Sequence, residues 1–91
     1  MYDKTIVIGR LGADPQLKGK YVEFTLSNST IRDGVEEVAW HRIKAVGKQA
    51  TLCIEHLHKG DLCCIEGHIE RRNNRLTIIA ERIVFLPARS H

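Results

Sequence analysis

Val38-Ala39-Trp40-His41-Arg42-Ile43-Lys44-Ala45-Val46-Gly47-Lys48-Gln49-Ala50-Thr51-Leu52-Cys53-Ile54-Glu55-His56-Leu57-His58-Lys59-Gly60 changes its hydrophobic period half-way along, and that change decides the fold. From Val38 to Val46 the side chains alternate, placing Trp40, Arg42 and Lys44 on one strand face and His41, Ile43 and Ala45 on the other. From Lys48 to Leu57 the apolar residues Ala50, Cys53, Ile54 and Leu57 recur at helical spacing, which predicts one short helix. Lys59-Gly60 is expected to end it as a basic last turn and a C-cap glycine.

Working outward, Lys4 to Leu11 is a β-rich run closed by Gly12 and the Asp14-Pro15 turn. Tyr21 to Ser29 alternates, with Val22, Phe24 and Leu26 facing one way and Glu23, Thr25 and Ser27 the other. Asp33-Gly34 marks a turn, and Glu36-Glu37 falls in the same polar stretch. Beyond the helix, Asp61 to Arg72 reads as a fourth strand, interrupted at Gly67 by a bulge or barrel corner. Asn73-Asn74 signals a tight hairpin, because Asn tolerates left-handed backbone angles. Arg75 to Leu86 is the fifth strand, and Pro87 stops it. Three strands, one helix and two strands form too narrow a sheet for a sandwich. They can curl into a five-stranded Greek-key β-barrel capped by the helix, which is the OB-fold, all-β apart from that one helix.

A chain of 91 residues holds one domain, expected over residues 1–88, with 89–91 as a short tail. The longest apolar runs, such as Leu62-Cys63-Cys64-Ile65, fall far short of the ~20 residues of a membrane span. Met1-Tyr2-Asp3-Lys4 lacks the pattern of a signal peptide, so a cytoplasmic protein is expected. Cys53, Cys63 and Cys64 have neither disulfide-framework nor zinc-site spacing and read as packed, reduced thiols. His56 and His58, two apart, would point from different faces of a helix, so no metal and no other cofactor is expected.

The net charge of +3 is mild, but its placement is informative. Basic residues gather as Arg10, Lys18 and Lys20, as Arg42, Lys44 and Lys48, and as Arg71, Arg72 and Arg75. Such clusters suit a groove for a polyanion, or else only solubilise strand edges. The only tryptophan, Trp40, shares its strand face with Arg42 and Lys44. An aromatic ring between two cations is a unit of single-strand recognition, in which a base stacks while the cations hold phosphates. The same ring could instead fill a subunit interface or pack under a loop.

Several motifs in order resemble the bacterial single-stranded DNA-binding protein family. They are Lys4 through Pro15, then Phe24-Thr25-Leu26, then Ala39-Trp40-His41-Arg42-Ile43 followed by Gly47-Lys48. Leu57 with Lys59-Gly60 and Ile65-Glu66-Gly67, then Ile78-Ile79-Ala80 and Phe85-Leu86, complete the set. The resemblance implies an OB-fold that self-associates, usually as a tetramer, with single-stranded DNA over its outer faces. It implies Trp40 as a stacking residue and Arg42 and Lys48 as basic contacts, with Lys44 on their face. It also places His41 near a subunit contact, and Ile6 and Ile8 are assigned to that contact with it. Arg10, Lys18, Lys20, Arg71, Arg72 and Arg75 complete the expected DNA-binding set.

The chain also departs from the family. Val46 stands where an aromatic is common, and Arg71-Arg72-Asn73-Asn74 carries none where the last hairpin often has one. Of five aromatic residues, Phe24 and Phe85 are expected in the core. Fewer stacking residues shift weight onto phosphate contacts, which predicts steep salt dependence and a short footprint per subunit. Because the sequence stops at Pro87-Ala88-Arg89-Ser90-His91, partner recruitment through an acidic tail is not expected. A primosome-type accessory protein and a self-associating OB module with little DNA binding remain alternatives. No phosphate loop, nucleophile–base motif or metal cluster is present in the sequence, so neither an enzyme nor a small-molecule substrate is expected.

Overall fold

The computed structural model describes residues 4–86, the side chains of residues 30–32 excepted. In chain order its elements are β1 (Thr5–Leu11), β2 (Gln16–Lys18), β3 (Tyr21–Arg32), β4 (Val35–Val46), α1 (Gly47–His56), β5 (Leu62–Arg72) and β6 (Arg75–Phe85). The strands are ordered β1-β5-β6-β4-β3-β2, and a further β1–β3 pairing closes five of them into a ring. All pairings are antiparallel except β4 with β6, which run parallel at Ile43↔Ile78 and Lys44↔Ile79. This is the expected OB-fold. The Pro87 stop and the tail at 89–91 lie outside the described residues.

Closure follows from alternation. Val7 and Leu11 of β1, Val22, Phe24 and Leu26 of β3, and Ile43 and Ala45 of β4 are all buried. Cys63 and Ile65 of β5, with Ile78, Ala80 and Ile83 of β6, complete the ring's filling. The ring is shut where β1 crosses β3, and there the backbones approach closely. A Cβ on Gly9 would lie 2.3 Å from the Ser27 carbonyl oxygen. Helix α1 covers one end of the barrel with Ala50 and Cys53, and Leu57 follows them into the core. Gly47, at φ 58°, lets β4 pass into α1 without a loop. Desolvation in that core pushes the Cys53 thiol up to about 11 and the Cys63 thiol up to about 12. All three cysteines are free.

The bulge lies opposite Gly67. Register shifts between Glu66↔Arg82 and Gly67↔Ala80, so Glu81 is the extra residue in β6. The kink brings the Ile79 carbonyl oxygen within 1.9 Å of where a Cβ on Gly67 would sit, so only glycine fits. Asn73 and Asn74 both adopt positive φ (53° and 63°), as the tight turn from β5 to β6 requires.

Five expectations need correction. The three-residue strand β2 was not foreseen; it pairs with β3 through Gln16↔Glu23 and Lys18↔Tyr21. The β3–β4 hairpin is longer than the sequence suggests, because pairing continues to Arg32↔Val35 and places Glu36 and Glu37 in β4 rather than in a turn. The helix ends at His56, before the expected glycine cap: Leu57 is already extended, with its N–H bonded to the Cys53 carbonyl. Gly60 instead donates its N–H to the Leu11 carbonyl at 2.8 Å, tying the chain after the helix to β1. Ile54, expected on the helix's apolar face, is 45% exposed. Phe85 is not core either, since it lies at the end of β6, exposed and tilted against the His56 ring at 5.4 Å.

Candidate nucleic-acid interface

β3 and β4 pair in register over their whole length, so directly opposed residues share a face. The outward face carries Tyr21, Glu23, Thr25 and Ser27 on β3, opposite Val46, Lys44, Arg42 and Trp40 on β4. The alternation read from Val38 to Val46 is therefore present: Ile43 and Ala45 are buried while Trp40 is 61% exposed. The indole lies over Gly12, in the turn after β1. A Cβ there would come within 2.6 Å of Trp40 Cζ3 and 3.0 Å of Thr25 Oγ1. Gly12 is held in place by its N–H, which donates to the Thr25 carbonyl at 3.1 Å. Trp40 thus stands on a floor of glycine backbone with its remaining surface open.

A second row of cations faces this strand pair. Beyond the bulge, β5 and β6 turn Glu70, Arg72, Arg75 and Thr77 toward the outer face of β4, because Ile79 sits beside Lys44 in the parallel ladder. Between the two rows runs a groove of about 230 Å³, with Tyr21, Arg42 and Lys44 on one wall and Arg72, Asn73 and Arg75 on the other. The Lys44 ammonium stands 4.1 Å from the centre of the Tyr21 ring. Glu23 lies among these cations: it accepts a hydrogen bond from Lys18 Nζ at 2.8 Å and is 3.9 Å from Arg42 Nε. That hydrogen bond, with the charge behind it, raises the Lys18 pKa above its ordinary value.

The ten residues expected at the interface do not all meet. Trp40, Arg42, Lys44, Lys18, Arg72 and Arg75 share the continuous outer face. Arg10, paired with Ser27, extends it past Trp40, although its Nη1 also donates to the Gly60 carbonyl at 3.0 Å. Lys48 is exposed in the first turn of α1, just after β4. Lys20 lies on the other side of the β2–β3 turn, lining a cleft with Leu17 and Ile54 against α1. Arg71 pairs with Leu76 on the hairpin face opposite Arg72. Tyr21, Gly12 and Glu23 carry the interface geometry without having been singled out in the sequence. The Tyr21 signal was available, since it begins the alternation that ends on Ser29.

The expected subunit-contact residues lie elsewhere. Ile6 and Ile8 are 59% and 53% exposed, on the outward side of β1 beside Glu66 and Cys64 of β5. His41 is half-buried on the inward side of β4, with Nε2 3.3 Å from Asn28 Oδ1. Among the described residues no group of His, Cys, Asp or Glu is arranged to hold a metal ion, and no helix is long and apolar enough to cross a membrane.

Comparison with known proteins follows the same lines. The chain is similar to the "Single-stranded DNA-binding protein" of Xylella fastidiosa, 39% identical over 77 residues, or 74% of this chain and 47% of the relative. It is 37% identical over 81 residues to "Single-stranded DNA-binding protein 1" of Chlorobaculum tepidum, covering 78% of this chain and 50% of the relative. The chain thus spans about half the length of the curated relatives it matches. In fold it matches the small single-stranded DNA-binding protein from Streptomyces coelicolor, with TM-score 0.83, 19% identity and coverage of 97% of this chain and 96% of the other. It also matches a Plasmodium falciparum SSB solved in complex with ssDNA, with TM-score 0.80, 24% identity and coverage of 96% and 97%. The family model for the single-strand binding protein family matches residues 2–86, and the chain belongs to that family.

Proposed function

We propose that this chain binds single-stranded DNA with little sequence preference, holding it without catalysis during replication, recombination or repair. The observation that carries the reading is Trp40, exposed on its glycine floor in line with Arg42 and Lys44. A base stacks on the indole, and every base offers a π-face, so the contact does not select sequence. Arg42, Lys44, Lys18, Arg72 and Arg75 hold phosphates along the groove, with Arg10 and Lys48 extending the track at its ends. Lys20 and Arg71 add only long-range attraction, because they lie off this face. Curated relatives carry the same binding in their names.

The exposed apolar side of β1, with Ile6 and Ile8, supports self-association, and a tetramer accords with the family. His41 shapes that contact only through the hairpin it braces with Asn28. The test is anisotropy of a labelled oligo-dT, titrated with the wild type and Trp40→Ala. Salt-sensitive binding by the wild type and a loss of roughly 1–3 kcal/mol in the variant are expected. Absence of binding by the wild type at low salt would leave only a self-associating OB module.

A further inference from the structure

We propose that Tyr21 is a second base-stacking platform, at the far end of the groove from Trp40, with Lys44 resting on its ring until a base takes that place; this rests on the single-stranded DNA reading above. Tyr21 opens β3 and is only half-buried. Its cross-strand partner is Val46, on the outer face that also carries Trp40. The Lys44 ammonium 4.1 Å from its ring centre means that the π-face is turned into the groove and not onto the core. Opposite stand Arg72 and Arg75, two guanidinium groups within reach of the backbone of any strand that enters the 230 Å³ groove.

Ring, cations and open volume are the parts of a nucleotide site. The cation on the ring covers an aromatic face that would otherwise stand bare. A base that stacks on Tyr21 displaces Lys44, and the freed ammonium meets the phosphate that arrives with the base. From Trp40 to the Tyr21–Val46 pair is six residues along β4, or roughly 20 Å at strand rise, so the two platforms hold bases several nucleotides apart on one strand.

The alternative role for Tyr21 is packing under the Lys44 stem, and the two roles part on substitution. Tyr21→Leu keeps apolar bulk and removes the π-face, whereas Tyr21→Phe keeps both. Stacking predicts that Tyr21→Leu weakens binding of a long oligo-dT by roughly 5- to 100-fold. Tyr21→Phe then stays near the wild type, and an oligonucleotide too short to span both platforms shows no difference between the two. A second readout does not depend on affinity. In Trp40→Phe/Tyr21→Trp the only tryptophan stands at position 21, and its emission should quench when long oligo-dT binds. Unchanged affinity in Tyr21→Leu while Trp40→Ala loses binding would overturn this inference and leave the DNA-binding reading intact. Binding by the double variant with no change in emission would overturn it as well. Failure of the wild type to bind any oligonucleotide would overturn both.

Discussion

Single residues set the character of the face that carries Trp40, and two of them shape it without being a cation or a stacking ring. Gly12 supports the indole because it has no side chain; Gly12→Ala puts a methyl within 2.6 Å of Trp40 Cζ3. The atom it meets is the far end of a rotatable side chain, so the ring swings aside at little cost to stability. Gly12→Ala should therefore keep its melting temperature within a few degrees while losing part of the affinity that Trp40→Ala loses. Thermal denaturation and anisotropy, run side by side, check this. Glu23 acts in the opposite sense, since it pairs with Lys18 and Arg42, two of the cations that the proposed function gives to phosphates. Glu23→Gln frees both cations. It should tighten oligo-dT binding on the order of 3- to 10-fold at low salt, and add about 0.7 to the magnitude of the log–log salt slope for each counterion newly released. A weaker-binding Glu23→Gln would mean that Glu23 orients Arg42 rather than restrains it.

Among the elements, the β5–β6 hairpin shows how backbone irregularity places side chains. Before Gly67, the outward residues of β5 and β6 are Cys64, Glu66, Arg82 and Val84; the extra residue Glu81 shifts the phase. Without that shift the phase of β6 would reverse beyond the bulge, and Leu76 rather than Arg75 would stand opposite Arg72 on the groove face. Gly67→Ala collides with the Ile79 carbonyl and should destabilise the fold by about 3 kcal/mol, at the upper end for overpacking. Urea denaturation measures it. Gly67 and the Asn73-Asn74 turn were legible in the sequence because each residue type has one backbone reason to be there. The strand from Val38 to Val46 was legible because its inward face is covered from His41 onward, with Ile43 and Ala45 buried. β2 was not: its three residues are all exposed and carry no period to read. The outer part of the β3–β4 hairpin escaped for the same reason, since residues 33–37 stand exposed beyond the barrel and nothing imposes alternation on them. Phe85 was misplaced because strand phase says which way a side chain points, not whether the barrel still covers it there. The meeting of Gly12 with Trp40 is a contact between distant parts of the chain, and local patterns do not record those.

At the scale of the whole molecule, two outer surfaces of one small barrel differ in chemistry. The β3–β4 face with the β5–β6 hairpin is cationic and aromatic, while the outward side of β1 is apolar, with Ile6 and Ile8 exposed. A charge on the second surface should disturb assembly without entering the first. Ile8→Glu is expected to lower the molecular mass seen by light scattering while each subunit keeps its fold by circular dichroism. An unchanged mass would rule out this side of β1 as a subunit contact. On the proposed function, association would lengthen the footprint, since each added copy would bring its own Trp40 and its own groove.

The most direct measurement uses the single tryptophan as its own probe: Trp40 emission followed while oligo-dT is added, then while salt is raised. Base stacking on Trp40 predicts deep quenching at low salt that reverses as salt displaces the strand. Binding seen by anisotropy with Trp40 emission unchanged would contradict it, and would place the strand on some other face of the barrel.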